Sequence, residues 1–427
     1  MSEKIITAVD LGSSKICVII ALLHENNNKF EIKGVGTSES KGIENGLIRD
    51  LRKTSESIRV AVEKAQEQAK IIADNIFVAV SGQHIRCKNT EGRVSIAIGS
   101  QPSVIDQSHV DAVINDAKNS IKRDIGSERL EIIHCMAQDF EIDSQKDIFD
   151  PTGMSGLSLT VHTHIILAET NHLRNIRKAF EMASLTEPTI VLGSIATAES
   201  VTNEDERRLG CIVLDIGEGT CELMVYHKSY LKTYLCLPKG GSLITHDLAI
   251  GLRTPPSAAE NLKIDYANAY PAALNKDTMV EIEGIGGRQS TMKPHTLIAE
   301  IVQVRLNEIL DNCYRSILAN FSRLDTLTAG MIMTGGTSLI ENIQYLIEDE
   351  SGFNLPCRIG YPDILRLSGA YSTLDNPMYS CVIGLLYYGM NYETTNTKGR
   401  TRTRGSNKIF SKLGKSFKNI FSKISEL

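Results

Sequence analysis

Runs of β-branched and apolar residues alternate with helical patterns along most of the chain. Near the N-terminus, the pattern predicts strands at 5–10, 15–23 and 30–36, an amphipathic helix at 50–70 and a buried strand at 76–80. Strands that alternate with helices are typical of an α/β domain. We therefore expect an α/β fold for this part of the chain.

A region with a different pattern follows. Strands are predicted at 85–88, 94–98 and 130–140, and they surround one helix at 106–122. Polar turns separate these elements, and no nucleotide-type glycine motif occurs among them. We interpret residues 84–162 as an inserted α+β subdomain.

The earlier alternation returns after the insert. A strand at 189–194 leads to an apolar hairpin at 209–226, and helices follow at 243–252, 294–318 and 377–390. From residue 392 to 406 the chain is mainly Thr, Gly, Asn, Lys and Arg, with almost nothing to bury. Such a segment cannot offset its ordering entropy, so it is predicted to be a flexible linker.

Bulk composition limits the classes of protein to consider. A chain of 427 residues exceeds one ordinary core, so at least two domains are expected. The net charge of −5 gives no general attraction to nucleic acid, and nine scattered cysteines without a C-x-x-C pair suit a reducing cytosol. The apolar run at 16–23 is far short of a membrane span, and no signal-peptide pattern is visible at the N-terminus.

A small polar turn interrupts the first two strands. Asp10 precedes the turn, which contains Gly12, Ser13 and Ser14. Backbone N–H groups and hydroxyls in such a turn can hold phosphate oxygens, and an adjacent carboxylate can hold a hydrated divalent cation. On its own this signal is weak, because most short Gly/Ser turns are simple hairpins.

The same design recurs in the second half of the chain. Asp215 follows an apolar strand, and Gly217, Gly219 and Thr220 form the turn before the next strand. A pattern that occurs once per half predicts two like domains that face each other. Two such hairpins can grip a triphosphate from opposite sides, with Asp10 and Asp215 on either side of one Mg²⁺.

A third motif completes the set. The strand at 331–334 runs into Gly335 and Gly336, where a flat base or ribose can lie against the backbone. In this order the three motifs resemble the first phosphate loop, second phosphate loop and adenosine loop of the superfamily of actin, sugar kinases and chaperone ATPases.

The last segment, residues 407–427, has a strongly amphipathic helical pattern. At about 100° per residue, one face collects the apolar side chains: Ile409, Phe410, Leu413, Phe417, Ile420, Phe421, Ile424 and Leu427. The opposite face collects lysines, namely Lys408, Lys412, Lys415, Lys418 and Lys423. This combination indicates a helix that lies in an anionic membrane surface, and the alternative is a terminal helix docked on protein.

An actin-like core, a linker and a terminal amphipathic helix together resemble the FtsA family of bacterial cell division proteins. Other stretches that carry the resemblance are 78–82, 239–241 with Thr245, Asp247 and 251–252, 259–263, 284–288 and 334–336. The resemblance implies an actin-like (ribonuclease H-like) two-domain fold with the inserted subdomain. It also implies domain boundaries at 1–83, 84–162, 163–205, 206–240, 241–328, 329–375, 376–391, 392–406 and 407–427.

The resemblance further implies an ATP-binding adaptor at the inner face of the cytoplasmic membrane, at the division septum. Such a protein would bind the C-terminal peptide of FtsZ, hold FtsZ filaments at the membrane and polymerise like actin. Residues 84–162 would serve self-association and the recruitment of later division proteins.

Site residues follow from the resemblance, motif by motif. Phosphates and Mg²⁺ would meet Asp10, Gly12, Ser13, Ser14, Lys15, Asp215, Gly217, Gly219 and Thr220. Base and ribose would meet Gly241, Glu260, Lys263, Gly335, Gly336 and Thr337. The FtsZ peptide would meet Arg305 and Glu308, since a guanidinium suits an acidic peptide. Exposed ion pairs are the plain alternative for Arg305 and for Glu260 with Lys263.

Hydrolysis is a separate question, because ATP turnover needs a residue that positions the attacking water. The sequence identifies none, and Glu218 is a weak candidate. We therefore expect a nucleotide-dependent assembly protein that is at most a slow ATPase. The alternatives are a small-molecule kinase of the same superfamily and an actin-like scaffold of a pilus or secretion assembly.

Overall fold

The computed structural model describes residues 3–24, 28–126, 128–275, 278–369 and 372–400, with the side chains of 350 and 393–400 excepted. Within these ranges, no helix is long and apolar enough to cross a membrane. The predicted membrane helix at 407–427 lies outside the described residues.

Strands and helices alternate along the described chain. The strands are β1 Glu3–Leu11, β2 Lys15–His24, β3 Lys29–Glu39, β4 Ile43–Glu44, β5 Leu47–Ile48, β6 Ile76–Val80, β7 Ile85–Ser95, β8 Ser103–Val104, β9 Leu130–Ile142, β10 Gln145–Ile148, β11 Ser155–Gly156, β12 Ser158–Glu169, β13 Thr189–Leu192, β14 Cys211–Ile216, β15 Cys221–His227, β16 Tyr230–Leu237, β17 Met279–Ile282, β18 Thr291–Pro294, β19 Gly330–Thr334, β20 Cys357–Ile359 and β21 Leu367–Gly369. The α-helices are α1 Leu51–Ala69, α2 Gln107–Ile125, α3 Thr170–Met182, α4 Gly193–Val201, α5 Glu204–Leu209, α6 Gly241–Leu252, α7 Pro256–Tyr266, α8 His295–Asn320, α9 Ile343–Tyr345 and α10 Ser380–Arg400.

The first domain is built on a mixed sheet with strand order β13-β6-β1-β2-β3-β21. β1, β2 and β3 form an antiparallel meander, and β6 and β13 add in parallel on the other side of β1. β2 is buried along nearly its whole length because both faces of the sheet are covered. Helices α1 and α3 pack on one face, while α4 and α10 pack on the other.

The second domain repeats this plan. Its sheet has the order β16-β15-β14-β19-β20, in which β14, β15 and β16 form the antiparallel meander and β19 and β20 add in parallel. Helices α6, α7 and α8 cover the outer face through a separate apolar core. The two sheets therefore place their first hairpin turns, at 11–14 and 217–220, at equivalent positions.

The inserted subdomain has its own small core. A four-stranded sheet of order β10-β9-β12-β7 carries α2 on one face. Asp106 caps α2 by accepting hydrogen bonds from the backbone N–H groups of Ser108 and His109. The predicted α+β insert between β6 and α3 is confirmed as a structural unit.

A set of buried hydroxyls joins the two domains behind the hairpin turns. Thr334, the last residue of β19, lies 2.8 Å from the Ser380 hydroxyl at the start of α10. The Ser200 hydroxyl in α4 donates to the Ser380 carbonyl oxygen at 2.7 Å. These contacts join the end of a second-domain strand to two first-domain helices. They therefore hold the two domains together behind the hairpin turns.

The C-terminal helix differs from the sequence prediction. The pattern ended a helix at 390 and began a flexible linker at 392, but α10 runs from Ser380 to Arg400, after a short 3₁₀ turn at Pro377–Tyr379. No proline interrupts this stretch, and Tyr392 packs edge-on against Phe77 with ring centroids 5.5 Å apart. The linker prediction is therefore wrong for 392–400, while residues 401–406 lie outside the described residues.

The close packing of α10 against α4 predicts that one added methyl group will strongly lower the stability of the protein. A methyl placed on Gly384 would lie 1.7 Å from the Ala196 carbonyl oxygen, so Gly384→Ala would force the two helices apart. We expect it to destabilise the protein by about 2 kcal/mol or more in urea unfolding, although Gly→Ala normally stabilises a helix.

Gly251→Ala in α6 is the matched control for this substitution. Its added methyl would meet only the flexible end of the Ile301 side chain, at 3.0 Å. We expect little or no loss of stability there. Equal urea midpoints for the two variants would contradict the proposed close contact.

Candidate functional site

The two hairpin turns face each other across a cleft between the domains. A methyl group placed on Gly219 would lie 2.6 Å from the Ser13 hydroxyl oxygen and 3.0 Å from the Asn45 side-chain oxygen. Only glycine allows the second turn to approach the first this closely. The structure thus brings together the two motifs that the sequence paired.

Asp10 and Asp215 lie at the ends of β1 and β14, beside these turns. Burial raises the pKa of Asp215 to about 6, with a further contribution from the nearby negative charge of Asp10. Burial also raises the pKa of Asp10, against hydrogen bonding to Cys381 and the charge of Lys15. Two neighbouring carboxyl groups whose charged forms are disfavoured by burial form a site where a cation would stabilise those charged forms.

Domain-one helices hold this carboxyl pair in place. The Thr197 hydroxyl in α4 donates to Asp215 Oδ2 at 3.2 Å. Cys381 in α10, whose thiol donates to the Gly193 carbonyl oxygen at 3.8 Å, lowers the pKa of Asp10. Neither contact was predicted from the sequence, because residues of α4 and α10 are distant from both motifs along the chain. The Asp215 side chain is therefore oriented by the opposite domain.

Lys15, at the start of β2, is partly desolvated at the same cleft. Its Nζ lies 3.8 Å from the centroid of the Tyr379 ring, which is a cation–π contact. Burial lowers the pKa of Lys15, against the charges of Cys17 and Asp10. The lysine that the resemblance assigned to phosphate is thus close to both Asp10 and an aromatic support.

The second turn is anchored by the N-terminus of α6. Gly241 N–H donates to the Gly217 carbonyl oxygen and Ser242 N–H to the Glu218 carbonyl oxygen, both at 2.9 Å. The Thr337 hydroxyl donates to the same Gly217 oxygen at 3.2 Å. Two separate chain segments, the start of α6 and the turn after β19, therefore fix the backbone of this turn.

Glu260 and Lys263 form part of a larger network beside this anchor. Their ion pair measures 2.7 Å, and the Thr245 hydroxyl lies 2.5 Å from Glu260 Oε2 and 2.9 Å from Lys263 Nζ. Lys263 Nζ also donates to the Gly241 carbonyl oxygen at 3.3 Å. The pair therefore connects α7 to the base of α6 next to the second turn, and its contact with a base or ribose stays a prediction.

The glycine turn after β19 closes the third side of the cleft. Gly335 has φ +84°, and a methyl placed on it would lie 2.3 Å from Asp215 Oδ1. A methyl placed on Gly336 would meet no atom within 4 Å, so this residue faces open space. The turn gives an exposed backbone surface directly beside the carboxyl pair.

These features fit a nucleoside polyphosphate and a divalent cation. Two turns of small residues oppose each other, a lysine and two carboxyls lie at their base, and an open glycine surface lies beside them. Small turns suit phosphate oxygens, and paired carboxylates suit a hydrated Mg²⁺. Within the described residues, no group of three or more His, Cys, Asp and Glu could hold a metal, so a cation here would need phosphate or water ligands as well.

Glu218 does not join the carboxyl pair. It is exposed at the second turn, and its charge interacts with Lys263 and Glu260 on the glycine-turn side. A different glutamate, Glu222, was not predicted from the sequence; it is buried in β15 opposite Asp215 in β14. Its signal in the sequence is a single acidic residue inside the otherwise apolar strand 221–227.

Arg305 and Glu308 lie away from the cleft on α8. Arg305 donates to both oxygens of Asp247 in α6, at 2.5 and 2.9 Å, and also pairs with Glu308. Glu308 in turn accepts from Lys239 Nζ at 2.8 Å. Arg305 therefore takes part in more than an intrahelical pair, because it clamps α8 to α6.

Comparisons with known proteins agree with this geometry. The family model described as "Cell division protein FtsA" matches residues 212–384, and the model described as "SHS2 domain inserted in FTSA" matches residues 82–167. Cell division protein FtsA of Escherichia coli strain K12 is 31% identical over 418 residues, which cover 95% of this chain and 96% of that protein.

Solved structures resemble the chain at low sequence identity. The PilM–PilN type IV pilus biogenesis complex matches with a TM-score of 0.61 and 14% identity, over 90% of this chain and 98% of that chain. MreB5 of Spiroplasma citri bound to AMPPNP matches with a TM-score of 0.54 and 12% identity, over 94% and 99%. At these identities the likeness shows the fold alone, which is the predicted actin-like fold.

The carboxyl pair predicts opposite effects of Asp215→Asn on the free and the ligand-bound protein. Because folding raises the pKa of Asp215 from 3.8 to about 6, the free protein loses stability as pH rises through this range. Above pH 6, we expect the free energy of unfolding of the variant, measured in urea, to exceed that of the wild type by up to about 3 kcal/mol. At pH 4 we expect the two free energies of unfolding to be equal.

Addition of Mg²⁺ and ATP is expected to raise the urea midpoint of the wild type and not that of Asp215→Asn. Asp205→Asn is the control, since the Asp205 side chain is 75% exposed. A wild type that remains less stable than Asp215→Asn in the presence of Mg²⁺ and ATP would count against a cation at this pair.

Proposed function

This chain belongs to the FtsA family of cell division proteins, and from that membership we propose that it binds ATP and attaches FtsZ filaments to the cytoplasmic membrane during division. The observation that supports the nucleotide part is the cleft, where Gly219 meets Ser13 and Gly335 meets Asp215. Family membership favours this function over a small-molecule kinase or a pilus scaffold.

The proposed nucleotide contacts divide by chemistry. Phosphate oxygens would be held by the two turns, through Gly12, Ser13, Ser14 and Lys15 on one side and Gly217, Gly219 and Thr220 on the other. Asp10 and Asp215 would hold Mg²⁺, whose positive charge offsets the repulsion between phosphate and carboxylate. Because a solved protein of this fold is bound to AMPPNP, ATP is the nucleotide we propose.

Base and ribose would lie against the glycine turn. Gly336 leaves this backbone open, and Thr337 and Gly241 form the adjoining wall. Glu260 and Lys263 border the same region through their contacts with Thr245. A ribose hydroxyl at this place would have both a carboxylate acceptor and an ammonium donor within the network.

The proposed surface for the FtsZ peptide lies where α6 and α8 meet. Ile250 and Val304 are 63% and 71% exposed there, beside the clamp between Asp247 and Arg305. Exposed apolar side chains around a partly exposed guanidinium suit a peptide that carries both apolar and acidic residues. Glu308 and Lys239 extend the charged part of this surface.

The remaining parts of the proposal concern the membrane, self-assembly and recruitment. The amphipathic segment 407–427 would anchor the protein peripherally, at the inner face of the membrane at the septum. The actin-like core would assemble into filaments with further copies. The insert would contact neighbouring copies and later division proteins.

Vesicle pelleting tests the anchor and the partner together. With vesicles of anionic lipid, ATP and FtsZ, we expect the full chain to carry FtsZ into the pellet. A chain that ends at 406 should leave FtsZ in the supernatant, because its five tail lysines and its apolar face are gone. A truncated protein that still pellets with the vesicles would remove 407–427 as the anchor.

Peptide titration tests the α6–α8 surface. We expect Arg305→Glu to weaken binding of the FtsZ C-terminal peptide by about tenfold or more, because it repels acidic residues and breaks the clamp with Asp247. Arg315→Glu is the matched control on the same helix, since Arg315 is 77% exposed and pairs only within α8, with Asp311. ATP affinity should be unchanged in both variants, and equal peptide affinities would refute the assignment.

A further inference from the structure

The ammonium group of Lys15 is available to a ligand in the cleft. Lys15 begins β2, directly after the first turn, and its side chain is half-buried. Within the part of the chain that the structure describes, its Nζ donates no hydrogen bond and has no carboxylate oxygen within 4.0 Å. An ammonium group carries three N–H donors, so all three can serve an anionic ligand.

The ring of Tyr379 is the direct contact of this ammonium group. Lys15 Nζ lies 3.8 Å from the ring centroid, where the negative face of the ring attracts the positive charge. A lysine side chain without support samples many rotamers and loses that freedom when it binds a phosphate. The ring therefore lowers the entropy lost on binding, because it orders the side chain beforehand.

Tyr379 is itself held in place from both sides along the chain. It ends the short 3₁₀ turn Pro377–Tyr379, directly before α10. The Thr334 hydroxyl lies 3.3 Å from the Pro377 carbonyl oxygen and 2.8 Å from the Ser380 hydroxyl. The backbone on either side of the ring is thus bonded to the end of β19 in the second domain.

This anchoring connects two parts of the cleft. Thr334 is the last residue of β19, so it directly precedes the glycine turn at Gly335 and Gly336. The ring that supports Lys15 on the first-domain side is therefore fixed by the same strand that leads to the open glycine surface. The position of the ammonium group depends in this way on the junction of the two domains.

We propose that Tyr379 is a positioning residue for the nucleotide, whose ring holds the Lys15 ammonium group where it meets the phosphates of ATP. This inference rests on the proposed nucleotide site, and it adds a residue that was not predicted from the sequence. In this role the ring acts on ATP only through the lysine. A packing role alone would depend on the volume of the side chain and not on the electron density of the ring.

Titration of the full chain with ATP and Mg²⁺ is the first test. We expect Tyr379→Leu to weaken ATP binding by about fivefold, because leucine keeps an apolar side chain but has no aromatic face. Tyr379→Phe should bind ATP within about twofold of the wild type, since it retains the ring. Tyr230→Leu is the matched control and should leave ATP affinity unchanged, because the Tyr230 ring lies 5.2 Å from Lys232 Nζ at the start of β16.

A double-variant cycle tests whether the ring acts through the lysine. Lys15→Met removes the charge and keeps a long side chain, and we expect it to weaken ATP binding by about tenfold. When Lys15 is already methionine, Tyr379→Leu should cause no further loss of ATP affinity, because the ring no longer has a cation to hold.

Fluorinated phenylalanines at position 379 test the electron density of the ring at nearly constant volume. Each added ring fluorine withdraws electron density from the face that attracts the ammonium group. We expect ATP affinity to fall stepwise with one, two and three fluorines, and to be independent of fluorination when Lys15 is methionine. This series also decides the matter if Tyr379→Leu fails to fold.

The outcomes separate the two proposals. If the wild type fails to bind ATP, the proposed nucleotide site is wrong, and the inference that rests on it is wrong as well. If ATP binds but its affinity does not change along the fluorine series, the role of the ring is wrong. Equal losses for Tyr379→Phe and Tyr379→Leu, or an undiminished effect of Tyr379→Leu beside Lys15→Met, would also overturn it.

Discussion

The desolvation of two neighbouring carboxyls, Asp10 and Asp215, is the constraint on which the arrangement of this protein depends. Each lies near the end of a central strand. Burial disfavours the ionisation of both, and the charge of Asp10 further disfavours the ionisation of Asp215. Thr197, Cys381 and Lys15 from the first domain stabilise the pair only in part. The charged forms of these two carboxyls therefore lower the stability of the free protein at the junction of its domains. A cation that binds there with a nucleotide would offset this loss of stability.

The architecture explains why the two carboxyls lie close together at the junction of the domains. Two sheets of the same plan bring equivalent hairpin turns face to face, and buried hydroxyls of Ser200, Thr334 and Ser380 fix the domains behind them. Glycines are required where the turns touch, at Gly219 and Gly335. Closing or opening of the cleft would therefore act directly on the contacts between the turns and on the α6 terminus that anchors the second one.

Much of the fold could be predicted from local patterns, because buried strands and amphipathic helices leave strong periodic signals. The repeated Asp–Gly motifs also predicted which residues meet in the cleft. One failure was local: separate strands were predicted at 85–88 and 94–98 with a polar turn between them, whereas β7 is continuous from Ile85 to Ser95. Gly92 is needed for close packing, since a methyl there would lie 2.2 Å from the Val113 carbonyl oxygen of α2.

Residues that depend on long-range packing could not be predicted. Thr197 and Tyr379 enter the site from a helix and a turn whose sequences carry no ligand motif, and Arg305 pairs with Asp247 only when α6 and α8 pack together. Glu222 left a signal, a lone acid in an apolar strand, but its neighbours Asp215 and Tyr234 come from two other strands.

The most direct measurement is a crystal structure of the protein with ATP and Mn²⁺ in place of Mg²⁺, in which anomalous scattering locates the metal. We expect one metal peak between the phosphates and the carboxylates of Asp10 and Asp215, with the two turns on either side. A metal or a nucleotide bound elsewhere, with these two side chains contacting neither, would contradict it.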